Sequence, residues 1–400
     1  MKLSRLFTLC ILLLAGGSLL QINAQDEPQH NAQDDAHESM VQVSFITPLS
    51  TNGIHSWSTI NHLSFNMLAG FSGGLEGLEM SGFANVLRWD MHGVQLAGFC
   101  NNTFGTAKGI EAAGFYNYNH RKVYGTQVAG FTNLCLEEVE GIQAAGFSNH
   151  SWGTTLGQFI GFLNTSLGTR TGLQAAGFAN VSTGENKGGQ FAGFANVSLG
   201  TVTGVQASGF VNYAKKVNGL QVGVVNVADT IEKGVAIGFM SFVKNGYKVI
   251  QLGGNETLYG EISFKTGVRS FYNIVSVGAA VQDDEIKWGW GYGIGTLIPV
   301  FNKLDLSLEV VSYHINEDRW WSNHVNMLNR ANLTANYQFT SMLSAYAGPS
   351  WNVWVTDTRN DNSGMNPSFR DWKVFERTNR NTVVSMYPGF AAGIRVGINN

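Results

Sequence analysis

Apolar and polar positions alternate with period two in short runs along most of this chain, and from residue 81 to 243 those runs are copies of one phrase. It reads Gly-x-Gln-x-Ala-Gly-Phe-x-Asn, with examples beginning at Gly93, Gly141 and Gly172. Its Gly-Phe pairs bring phenylalanine to positions 83, 99, 115, 131, 147, 162, 178, 194 and 210, then Val224 stands in and Phe239 resumes. A repeat of about 16 residues is too short for a helix pair, and each interior glycine would cost a helix about 1 kcal/mol. The array is therefore expected to be β. Carried through one copy, strict alternation places Gln143, Ala145, Phe147 and Asn149 on one face and Ile142, Ala144, Gly146 and Ser148 on the other. On that reading, Phe147→Asp should be far worse tolerated than Ser148→Asp.

Identical letters at an identical offset favour a β-solenoid over an antiparallel meander, because parallel in-register coils set Phe on Phe, Asn on Asn and Gln on Gln. The expected ladders are Phe99, Phe115, Phe131, Phe147, Phe178, Phe194 and Phe210; Asn101, Asn149, Asn180 and Asn196; and Gln143, Gln174 and Gln206. With coils about 4.8 Å apart, the array is a rod on the order of 50 Å long.

Past Tyr247 the period changes. Leu304, Leu306, Leu308 and Val310 alternate with Asp305, Ser307 and Glu309, and Leu333, Ala335, Tyr337 and Phe339 alternate with Thr334, Asn336, Gln338 and Thr340. In Trp288, Trp290, Tyr292 and Ile294, aromatics alternate with the glycines from Gly289 to Gly295. Long strands with one apolar and one polar face describe an outer-membrane β-barrel. Seven fall near 261–270, 272–282, 287–299, 304–315, 331–340, 342–355 and 384–398. An eighth is sought at 40–50, where Val41, Val43 and Phe45 alternate with Gln42 and Ser44. The run from His62 to Phe71 also alternates and reads either as a barrel strand or as a coil.

The expected organisation is then a signal peptide at 1–24, an acidic linker at 25–39, a first barrel strand at 40–50 and a connection or first coil at 51–80. The repeat array (81–243) and the remaining barrel strands (244–400) follow. Lys2 and Arg5 ahead of the apolar run Leu6–Leu14, with a small-residue site at Ala24, support the leader. Links at 270–272, 300–303 and 340–341 are tight and those at 316–330 and 356–383 long, which in outer-membrane barrels marks periplasmic turns and outer loops. With a barrel strand ahead of it, the array falls between strands one and two, on the outer side.

Composition removes some classes of function. Glycine contributes 49 of 400 residues, proline 6, and the formal net charge is −3, which offers nucleic acid no basic face. Cys100 and Cys135 lie two coils apart, about 10 Å along the rod, beyond disulfide reach. Gly70-Phe71-Ser72-Gly73-Gly74 matches a hydrolase elbow, but no helix pattern follows it. Asp357, Asn360, Asp361 and Asn362 miss calcium-loop spacing, the nine histidines show no ligand spacing, and Trp320 and Trp321 read as interfacial anchors. No catalytic, cofactor-binding or metal residue is expected, and no cofactor. The sequons at Asn101, Asn164, Asn180 and Asn196 coincide with ladder asparagines.

The phrase Gly-x-Gln-x-Ala-Gly-Phe-x-Asn, over about Gly70 to Phe242, resembles leptospiral-type surface-repeat proteins, and the segment after it resembles outer-membrane barrels of the Bacteroides group. The resemblance implies an outer-membrane location and transfers no catalytic residue. The expected function is a non-enzymatic surface protein whose barrel sits in outer-membrane lipid while the array binds a host, polysaccharide or cell-surface ligand. The alternative is an outer-membrane enzyme or transport component with the array as scaffold.

Overall fold

A computed structural model describes residues 36–282, 285–316, 325–357, 373–379 and 382–398. The expected leader and most of the expected acidic linker lie outside these residues, as do Trp320, Trp321, Asn360, Asp361 and Asn362. The chain forms a parallel β-solenoid of about 12 turns, with about 16 residues per turn, followed by a closed antiparallel barrel of eight strands.

Each coil carries a seven-residue strand, as in Ala107–Ala113, then a Gly-Phe corner and a four-residue strand, as in Tyr116–Asn119. Long strands pair with long and short with short, in register: Val123 opposes Val139, Gln127 opposes Gln143, and Asn133 opposes Asn149. The glycines of the phrase are required by geometry. Gly109 has φ 133°, a region closed to residues with a side chain, and a Cβ on the corner Gly114 would fall on the carbonyl oxygen of Gly98.

The N-terminal expectation is corrected. Strand His37–Ile46 belongs to the solenoid sheet, where it pairs with Leu49–Ser50 and with Thr59–Ser72. Residues 40–50 are therefore not the first barrel strand. Gln42 turns inward and joins Asn52 and Asn61 in closing the polar end of the stack. The run His62–Phe71 is a coil, since Thr59–Ser72 pairs in parallel with Gly74–Ser81 and Ala84–Leu87. Consequently the array begins near residue 59 rather than 81.

The eighth barrel strand is Tyr247–Asn255, which pairs with Gly260–Val268 on one side and with Thr382–Gly397 on the other. Around the wall come Phe271–Gln282, Glu285–Phe301, Leu304–Asn316, Asn326–Gln338 and Leu343–Asp357, and a short strand, Phe375–Asn379, extends the edge of the last. All eight wall strands follow the array in the chain, so the array precedes the barrel and is not inserted between its strands. The parity argument for an outward-facing array loses its premise.

The barrel is apolar outside and polar inside. Ile262, Val277, Ile298, Leu308, Val310, Leu333, Trp351 and Phe390 are exposed on the wall, while Ser263, Lys265, Ser276, Ser307, Glu309, Thr334, Asn352 and Arg395 are buried. The aromatic-glycine strand is explained by the same division. A Cβ at Gly291 would enter the Tyr313 ring and one at Gly295 the Tyr272 ring, so glycine faces inward where tyrosines fill the lumen.

Candidate functional site

Three places hold concentrated side-chain chemistry: the barrel lumen, the cavity where the last coils meet the barrel, and the ladders of the array.

In the lumen, Glu309 takes Lys265 and Arg395 together, with Arg395 Nη2 3.0 Å from Glu309 Oε1 and the Tyr272 hydroxyl donating to the same oxygen at 2.7 Å. Gln251 Oε1 accepts from Lys265 Nζ at 2.6 Å and from Arg395 Nε at 2.7 Å. A second cluster surrounds Arg330, whose guanidinium lies 3.4 Å from Glu256 and 3.6 Å from Glu261 and whose Nε donates to Asn352 at 3.0 Å. Three cations meet three carboxylates, all nearly inaccessible to solvent. Tyr272, Tyr313 and Tyr346 lie against these cations. Buried charges hold only when paired and hydrogen-bonded, and here each is paired, although Arg395 Nη1 has no hydrogen-bond partner. An eight-stranded lumen filled in this way is a plug of side chains rather than a pore.

The last coils meet the barrel at the rim carrying its short turns. There a cavity of about 640 Å³ is lined by Ile231 and Glu232 from the array and by Arg269, Asp305, Asn336, Gln338 and Arg395 from the barrel. Its size suits a small ligand. Two of its charges are paired with each other, since Arg269 Nη2 lies 2.6 Å from Asp305, which also accepts from Gln338 at 2.7 Å. Beside it the Gly238 carbonyl accepts from Asn273 Nδ2 at 2.7 Å and from the Tyr292 hydroxyl at 3.3 Å, and Phe239 stacks on Tyr292 at 4.6 Å. Asn273 and Tyr292 belong to the outward face of the wall, because Ile274 and Gly291 beside them belong to the lumen face.

Within the array the three ladders occupy different surroundings. The glutamines are fully buried, and each donates Nε2 to the Oε1 of the coil before it, as Gln143 does to Gln127 at 2.9 Å and Gln174 to Gln158 at 2.6 Å. This row continues through Gln190 and Gln206 to Gln221, where the opposing residue becomes Ala236 and Gln221 Oε1 is left without a partner. The asparagines run the other way: Asn101 donates to Asn117 at 2.9 Å, Asn149 to Asn164 at 3.1 Å and Asn180 to Asn196 at 2.9 Å. Their Nδ2 groups also reach backbone carbonyls across the corner, such as that of Phe159 for Asn149.

The phenylalanines are outside. Rings from Phe83 to Phe194 stack at 4.7 to 5.1 Å with interplanar angles of 6° or less, and Phe210 continues at 5.4 Å. Phe147 is 42% exposed while Gln143 and Asn149 are 0% exposed. The expectation that they share a face is corrected, because the Gly-Phe corner turns the chain and resets the alternation. Ser148 is buried and bonds Thr132.

Sequence reasoning did not single out the titratable residues of this interior. Glu79 and Glu111 stand in the glutamine column, where Gln95 and Gln127 donate to them at 2.9 Å. Burial pushes Glu79 up to about 7 and raises Glu111 as well. Arg170 is buried, bonded to Asn186 and to backbone carbonyls, and burial pushes it down to about 10. Their signal was in the repeat: each replaces an uncharged residue in an inward column.

Ser72, centre of the elbow-like pattern, is buried at the end of a strand and bonds Asn61 and Gln42. Cys100 and Cys135 are free and buried, and burial raises the Cys135 thiol to about 12. Among the described residues no group of His, Cys, Asp and Glu is placed to hold a metal ion. Comparison with family profiles, with curated proteins and with solved structures returned no match for this chain.

Proposed function

We propose that this is a non-enzymatic outer-membrane protein in which the barrel is a closed anchor and the array presents a binding surface within the periplasm. One observation supports the anchor reading above others: the wall is apolar outward while the lumen is packed with paired charges, the inverse of a water-soluble barrel.

Sidedness follows from the links. At the rim touching the array the barrel strands are joined through residues 269–270, 302–303 and 339–342, whereas the opposite rim carries, beside the short links at 256–259 and 283–284, the two long links at 317–325 and 358–374. Short turns face the periplasm in barrels of this kind, so the array belongs on that side. That placement redirects the expected ligand from a host surface to a component of the envelope.

The test is protease protection in intact cells. A tag in the Thr183–Lys187 turn should survive until the outer membrane is permeabilised, while a tag between Asp357 and Phe375 should be cut from outside. The mature chain should fractionate with outer membranes and shift in gel mobility on boiling. Recovery as a soluble protein would sink the anchor, and digestion of the Thr183–Lys187 tag in intact cells would reverse the sidedness.

A further inference from the structure

The array's exterior is divided lengthwise by charge. In most coils the long strand starts at a turn that carries charged side chains: Lys108, Glu140, Lys187 and Lys233 stand at its second position, beside the pairs Lys122–Glu138 and Lys216–Glu232 at 2.9 and 2.7 Å, while the turns ahead of Thr155, Arg170 and Val202 expose no charge. The strand ends at the Gly-Phe corner, and there charge disappears. The outward column containing Val94, Ile110, Ile142, Leu173 and Leu220 has no charged member, nor does that containing Leu96, Val128, Phe159, Phe191 and Val222. The phenylalanine column has none either. Ile110, Val128, Ile142, Phe159, Leu173, Phe191 and the stacked phenylalanines other than Phe99 each keep roughly two-fifths of their surface exposed.

At about 4.8 Å per coil the phenylalanine stack alone runs about 40 Å. With its two neighbouring columns it forms a band of order 600 Å² in projection, at the upper end of what soluble monomers leave to water. The interior meanwhile holds glutamine and asparagine. The array thus repeats the barrel's inversion along one edge.

We propose that this uncharged edge lies against the acyl phase of the membrane that holds the barrel. Continuity with the barrel wall favours lipid over a protein partner. The phenylalanine column ends at Phe239, whose ring stacks on Tyr292, and Tyr292 stands on the barrel's outward wall with Trp290 and Ile294. The array's apolar edge therefore runs without a charged break into the surface that faces lipid. The charged turns at the other end of the long strands are left to water. This inference rests on the barrel being embedded in the membrane.

The experiment places spin labels on single introduced cysteines in the full mature chain, reconstituted in vesicles of phosphatidylethanolamine and phosphatidylglycerol. Ile142→Cys and Leu173→Cys report the uncharged edge, Lys187→Cys the charged edge and Leu333→Cys the barrel wall. The native cysteines are buried and free. Accessibility to oxygen, which concentrates in acyl chains, is compared with accessibility to a water-soluble nickel chelate.

Labels at 142, 173 and 333 should favour oxygen several-fold, and the label at 187 should favour nickel. Nickel preference at 142 and 173 with oxygen preference at 333 would overturn the proposal and leave the anchor intact. Low accessibility to both at 142 and 173 would mean protein contact and overturn it equally. Nickel preference at 333 would remove the anchor itself, and the proposal with it.

Discussion

A buried amide in this array is held by its neighbours in the adjoining coils, so the cost of losing one extends beyond its own bonds. Asn149→Ala removes one of the acceptors of Asn133 and leaves the Phe159 carbonyl and Asn164 Oδ1 without that donor. Each buried polar group left unpaired costs about 1–3 kcal/mol. Phe147→Ala removes one half-exposed ring, worth about 0.5–1.5 kcal/mol for the stacking beyond its buried area. Hydrogen exchange of residues 123–166 should therefore accelerate more in Asn149→Ala than in Phe147→Ala. Glu79 provides a pH dependence at the same scale. Its folded value near 7 exceeds the ordinary 4.5, so the native state holds the proton across that interval. The stabilisation is present below about 4.5 and is lost as pH rises through about 7, a swing on the order of 3 kcal/mol. After correction for intrinsic exchange rates, protection around residues 74–97 should fall from pH 5 to pH 8, and Glu79→Gln should flatten that fall.

At the scale of the strand and coil, the repeating unit is the full period. Removing residues 125–140 joins Tyr124 to Gly141 and takes one glutamine, one phenylalanine and one asparagine from the three ladders together, so the remaining coils keep register. That variant should insert and protect its amides as the parent does, while removing 125–132 sets Asn133 against the long strands and should abolish protection throughout the array. Legibility from the sequence divides along the same line. The seven expected barrel strands each overlap an observed one, because a wall with an apolar outer face and a polar lumen writes itself as period two. Tyr247–Asn255 escaped notice because it follows the last coil directly and ends in Gly253 and Gly254, which blur its alternation. The segment 40–50 carried the same alternation for a different reason: Gln42 faces the polar end of the solenoid, so an inverted interior there mimics a barrel strand. Phe147 was misplaced because alternation was carried across a corner, and a corner does not conserve phase.

For the molecule as a whole, the filled lumen predicts electrical silence. Reconstituted in a planar bilayer, the chain should show no stepwise conductance, and a steady open channel would revive the transport reading. Glu309→Gln leaves Lys265 and Arg395 buried without their counter-charge, a loss of about 3–5 kcal/mol for a broken buried pair. The temperature at which boiling-type mobility appears on gels should fall accordingly, with little change in array protection. The candidate cavity at the array-side rim and the lumen clusters were invisible to motif reading. Their members, Gln251, Lys265, Asp305, Glu309, Arg330 and Arg395, are spread over five strands and share only the inward phase.

The two amide rows point in opposite directions, the glutamines donating toward the N-terminus and the asparagines toward the C-terminus. A row of aligned dipoles builds partial charge at its ends, as an α-helix does, but two opposed rows cancel. The array is therefore a ruler whose ends do not sense its length. Coils added or lost between them change how far it reaches without changing the field at the barrel junction or at the Gln42 end. Reach can then be set by repeat number alone, with the anchor and the terminal cap left as they are.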